Sequence, residues 1–178
     1  ALTDTEIQTI ATFETADKCE MGSHFEWLKS HFDTDLPAIL EESGYDATVT
    51  DRYSSGPLTQ NLLEGYDQLW LVSTMPEQVL SIAEKELIYN FHNSGKGVLL
   101  VSGTSGTVDA NFISGGWGVA FSGGVGRLNP FTPLSETPVH AILSNISSLA
   151  GGSEANLIFG PNARGIGYTG QNEYFAGV

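Results

Sequence analysis

The sequence holds a single cysteine, Cys19, in 178 residues. That excludes an internal disulfide, and with it any zinc site built on paired cysteines. Basic residues are also scarce. Seven Lys and Arg stand against 21 Asp and Glu, for a formal net charge of −14. A phosphate backbone would be repelled over most of such a surface, so nucleic acid is not an expected partner. Anionic membrane surfaces are disfavoured on the same ground. No run approaches the roughly 20 apolar residues that span a bilayer, so membrane insertion is not expected. The stretch from Ala1 has neither a signal-peptide pattern nor an initiator methionine, and we expect a mature or excised fragment. A Walker sequence is absent, and so are an EF-hand pattern and histidines at metal-ligand spacing. No cofactor is expected.

What remains is a globular composition. Hydrophobic residues make up 40% and charged residues 16%, and the length suits one domain over residues 1–178. The acidity suits solubility, and it is compatible with an extracellular or periplasmic setting. Asp33, Asp35, Glu41 and Glu42, with Asp46 and Asp51, could hold a cation, but a solvated acidic face is the plainer reading. Asn145-Ile-Ser147 is a glycosylation sequon of a kind that occurs often by chance.

Hydropathy patterning places strands at 7–13, 47–50, 68–72 and 97–101, the last an apolar run bounded by glycine. Ser23 with Glu26 forms a capping box before Phe25, Leu28 and Phe32, which repeat at helical spacing. Pro37 marks a break and restart of that helical region, and Gly44 ends it. Leu62 and Leu63 suggest a brief helical turn. Thr74 with Glu77 reads as a second capping box. Val79, Leu80, Ala83, Leu87, Ile88 and Phe91 then form the inner face of a long helix closed by Asn93-Ser-Gly95. A short helix is expected over 111–118, an irregular glycine-rich stretch over 122–133, and closing strands at 155–159, 165–168 and 174–178. Strands alternating with helices predict an α/β fold. The expectation is a doubly wound, mostly parallel, flavodoxin-like sheet with helices on both faces and an antiparallel edge near the C-terminus.

Two segments, Tyr66-Asp-Gln-Leu-Trp-Leu-Val-Ser73 and Asn93-Ser-Gly-Lys-Gly-Val-Leu-Leu-Val-Ser-Gly103, resemble the middle of class I glutamine amidotransferase-like domains. Asn111-Phe-Ile-Ser-Gly-Gly-Trp-Gly-Val-Ala-Phe121 and Pro138-Val-His-Ala-Ile142 are similar to later segments of such domains. The resemblance covers roughly residues 5 to 160 and implies the fold. Catalytic members carry a cysteine nucleophile after the strand equivalent to Val98–Val101. Here that loop is Ser102-Gly-Thr-Ser-Gly106. They also carry a His-x-Glu near the end of the chain, and none of His24, His31, His92 and His140 stands in that context. The resemblance therefore points to a non-catalytic branch lacking the Cys/His/Glu triad.

In an open α/β sheet, ligands bind beyond the carboxyl ends of the strands, at the switch in strand order. That topology brings Glu14, Thr15, Ser73, Thr74, Ser102, Thr104 and Ser105 to one crevice as candidate ligand-binding residues. Ser105 in Gly103-Thr-Ser-Gly106, or Cys19 beside Lys18, could act as a nucleophile with His24 or His140 as base. A serine capping a glycine loop and a structural cysteine are the plainer readings. Tyr53, Trp70 and Trp117 could offer aromatic contact surface, although Trp70 fits a core position better. Three functions follow as expectations. The first is a non-catalytic module that binds a small molecule or protein, within a larger secreted or surface protein. The second is a hydrolase using Ser105 or Cys19, and the third a structural or assembly domain.

Overall fold

The computed structural model describes residues 8–13, 35–42, 44, 46–51, 55–73, 77–102, 106–125, 132–133, 154–168 and 174–177. The chain divides into two compact units, Ala1–Val101 and Ser102–Val178.

The first unit is built on a four-stranded sheet. Its elements run β1 (Gln8–Phe13), α1 (Leu36–Glu42), β2 (Asp46–Asp51), α2 (Gln60–Leu63), β3 (Gln68–Ser73), α3 (Ile82–Asn93) and β4 (Gly97–Ser102). The strand order is β2-β1-β3-β4. β1 pairs in parallel with β2, aligning Ile10 with Thr48, and in parallel with β3, aligning Ile10 with Leu69. The Gly97 N–H donates to the Asp67 carbonyl at 2.9 Å, so β4 sets out from the end of the sheet where β3 begins. Both faces of β3 are covered: Leu69, Leu71, Val72 and Ser73 are all buried, as the near-continuous apolar run requires. The apolar run of β4 is covered less. Leu99 and Val101 are each 43% exposed, while Val98 and Leu100 between them are half-buried. Among the described strands of its sheet β4 stands last in the order.

Helix boundaries follow local chemistry. Pro37 sits in the first turn of α1, where a missing N–H costs nothing. Gly44, at φ 86°, closes that helix with its N–H on the Glu41 carbonyl. Thr59 caps α2, its hydroxyl oxygen accepting the Leu62 N–H at 3.2 Å. The long helix α3 starts later than Thr74 and Glu77 predict. Its cap is Ser81 and its capping box Ser81-x-x-Glu84. Both pairs have the right spacing; Ser81–Glu84 is the pair that opens the helical stripe. Glu84, Ile88 and Phe91, at successive turns, are buried together with Leu80, whereas Ala83 is exposed. The inner face is thus rotated from the expected one and has a carboxylate in it. The helix expected from Ser23 through Phe32 lies outside the described residues.

In the second unit the elements are α4 (Thr107–Ser114), a 3-10 turn (Gly115–Trp117), β5 (Val119–Val125), β6 (Thr132–Pro133), β7 (Glu154–Phe159), β8 (Gly165–Tyr168) and β9 (Tyr174–Gly177). The five strands form a sheet of their own in the order β5-β7-β9-β8-β6, and every pairing is antiparallel. The closing strands were expected as an edge of the parallel sheet; they bond instead to one another and to β5. β5 itself occupies part of the stretch expected to be irregular. Its two glycines hide the strand pattern, and they sit where the pairing with β7 shifts register between Ser122 and Gly124. Ala110 and Ile113 of α4, Leu157 of β7 and Ile166 of β8 are buried.

Candidate functional site

Strand order reverses between β1 and β3, the position where flavodoxin-like sheets bind ligands beyond the carboxyl ends of their strands. β1, β2 and β3 end on that edge with Phe13, Asp51 and Ser73. Ser73 closes β3 at 5% exposure and Ser102 closes β4 at 9%. Both residues are therefore part of the packed interior. The other candidate residues, Glu14, Thr15, Thr74, Thr104 and Ser105 for binding and Cys19, His24 and His140 for chemistry, lie outside the described residues. The sequence contains one His-x-Glu, His24-Phe25-Glu26, and it precedes β2 instead of following the last strands.

The connections that leave this edge are better defined. The segment 55–59 follows β2, and 77–81 follows β3. Glu84 joins them. Its side chain is 1% exposed. Oε1 accepts the Leu58 N–H at 2.9 Å. Oε2 accepts the Ser81 N–H at 2.9 Å and the Ser81 hydroxyl at 2.7 Å. The Ser81 hydroxyl oxygen in turn accepts the Glu84 N–H at 3.3 Å. A buried carboxylate is tolerated only when its lone pairs are bonded, and a helix N-terminus further favours its charge. The capping-box spacing of Ser81 and Glu84 was legible in the sequence; the bond to Leu58, 26 residues away, was not. On the far side of the same connection, the Tyr66 hydroxyl donates to Thr48 Oγ1 at 2.8 Å and ties the approach to β3 onto β2.

Among the described residues no group of three or more His, Cys, Asp or Glu gathers to hold a metal ion. Asp35, Glu41, Glu42 and Asp46 are exposed. His92 lies in the last turn of α3, with Nδ1 3.4 Å from the Lys96 carbonyl. Trp70 is half-buried, its Nε1–H on Gln68 Oε1 at 3.1 Å. No described helix is long and apolar enough to cross a membrane.

No protein-family model matches the chain, and no curated protein matches it. Solved structures do. A glutamine amidotransferase from Thermotoga maritima is 12% identical with a TM-score of 0.59, over 97% of this chain and 71% of that one. A ThuA-like protein from Bacteroides uniformis is also 12% identical, with a TM-score of 0.56, over 95% of this chain and 70% of that one. The mmIFT52 N-terminal domain is 14% identical with a TM-score of 0.62, over 92% of this chain and 74% of that one. At such identities the likeness is one of fold: an α/β chain of the glutamine amidotransferase-like kind.

Proposed function

We propose that this chain is a non-catalytic module that binds a small molecule or a protein at the carboxyl edge of its parallel strands. The reading is of one α/β domain over residues 1–178, doubly wound about the parallel sheet of its first unit, with helices on both faces. Structures that match 92–97% of the chain at once support it. One observation carries the functional part. β4 ends at Ser102 and Gly103-Thr104-Ser105-Gly106 follows, so the position that holds the cysteine nucleophile in the amidotransferases holds none here. A reversal of strand order with Ser, Thr and Glu in the adjoining connections is suited to hydrogen-bonding a ligand. The acidic charge argues against nucleic acid and anionic membrane as partners and suits a place in a secreted or surface protein. The N-terminal domain among the similar folds supports a module within a longer chain.

A thermal-shift panel of calcium, magnesium, EDTA, sugars, nucleotides and amino acids tests this reading. A binder at 100 times its Kd adds about 2.7 kcal/mol. The expected result is a shift with one class, diminished by Thr74→Ala or Thr104→Ala. A flat panel would instead support an assembly domain. Turnover of a chromogenic ester that Ser105→Ala or Cys19→Ala abolishes would replace the proposal with a hydrolase.

A further inference from the structure

An ordinary capping box uses one glutamate to reach back to its own helix cap, and it lies at the surface. Glu84 departs from that pattern twice. It is buried, and its two oxygens serve different parts of the chain: Oε2 serves Ser81, and Oε1 serves Leu58 in the preceding connection. The arrangement demands a carboxylate. Glutamine has one acceptor oxygen, and its amide nitrogen would face either the Leu58 N–H or the Ser81 donors. Leu58 is itself buried and immediately precedes Thr59, the cap of α2. Glu84 thus reaches from the cap of one helix to the residue beside the cap of another. Both helices are entered from the edge where β2 and β3 end.

We propose that Glu84 is a positioning residue that locks segments 55–59 and 77–81, which follow β2 and β3, into one element whose protection is kept or lost as a unit. A ligand or partner that orders one connection then orders the other. This consequence for binding rests on reading the carboxyl edge as the site, whereas the lock itself is measurable with no ligand present.

Amide hydrogen exchange on the full chain tests the lock. Bonds to a charged acceptor are the strong ones, so Glu84→Gln should lower protection at Leu58 by about tenfold to a hundredfold. Exchange in β3 and in the second half of α3 should stay as it is. The decisive variant is Ser81→Ala. A merely local cap would loosen only the start of α3. A lock transmits the loss, so Leu58, in the other connection, should exchange severalfold faster. Adding Ser81→Ala to Glu84→Gln should then change Leu58 no further. Unchanged Leu58 exchange in Ser81→Ala overturns the proposal, as does full additivity in the double variant. If Glu84→Gln does not fold, Ser81→Ala decides alone. A flat ligand panel with the transmitted loss present would remove the binding role and leave the lock standing.

Discussion

The two units fasten a helix to another part of the chain over very different distances along the sequence. In Ala1–Val101 the tie is Glu84 to Leu58, spanning 26 residues. In Ser102–Val178 it is Asn111, whose side-chain amide donates to the Phe121 carbonyl at 2.8 Å and accepts the Phe121 N–H at 2.7 Å, ten residues on. Ser114 adds a donated bond to the Val119 carbonyl at 2.7 Å, five residues on. Topology explains the contrast. Parallel strands need a crossover between them, so the groups that meet at one edge are far apart in sequence. A helix that turns directly into an antiparallel strand can be fastened by its neighbours. The amide of Asn111 takes the part of a backbone partner, bonding both polar groups of Phe121 as a strand would. The parallel unit therefore closes longer loops before its contacts form, the slower kind of folding.

The contrast can be broken most forcefully in the two interiors. Ile88 in α3 and Ile113 in α4 are fully buried. Truncating either to alanine should cost about 2–5 kcal/mol in chemical denaturation. One domain over the whole chain predicts that both variants shift a single transition. Two transitions, each moved by one variant, would make the units independent. Next in size, Asn111→Ala should cost about 1–3 kcal/mol by leaving the Phe121 backbone groups unpaired, with faster amide exchange confined to β5 and β7. Two of the left-handed glycines, one from each unit, give a finer comparison. Gly95 at φ 90° and Gly118 at φ 77° should each lose about 1–2 kcal/mol on substitution by alanine, from backbone strain alone. Neither added Cβ meets anything closer than 3.8 Å, so thermal melts of the two variants should agree. Gly160→Ala has a different cause: its Cβ would lie 3.2 Å from the Gly118 carbonyl oxygen, which already accepts the Gly160 N–H. Smallest of all is Thr59→Ala. It should cost about 0.5 kcal/mol, the low end for a lost cap, because α2 is a single turn.

Much of the parallel unit was legible because its signals are local and periodic. β3 and β4 are bounded apolar runs, and each extends one residue beyond its expected end, to Ser73 and Ser102. Glycines at 44 and 95 close helices where their positions predict. The start of α3 was misjudged because Thr74-x-x-Glu77 and Ser81-x-x-Glu84 are equivalent as local patterns. The choice between them is made by burial and by Leu58, which no window of a few residues contains. β5 escaped notice for a related reason: Ser122-Gly-Gly124 carries no alternating pattern, and its place in the sheet comes from β7, more than thirty residues later. Of the candidate site, the edge and its strand order were legible. The individual polar contacts were not: Ser73 and Ser102 read as lining a crevice, and both residues are buried.

The half-covered outer strand of the parallel sheet has a colloidal consequence. Leu99 and Val101 project from the strand that stands last among the described strands of its sheet, the arrangement that invites edge-to-edge growth. No lysine lies within β4 to discourage it. The defence against self-association is then global instead of local: fourteen net negative charges that keep copies apart at a distance. Such a defence is removed by salt, which shortens its range, and by acid, which neutralises it. Solutions of this chain should therefore scatter more light as ionic strength rises or pH falls, and a lysine at Leu99 should restore their clarity.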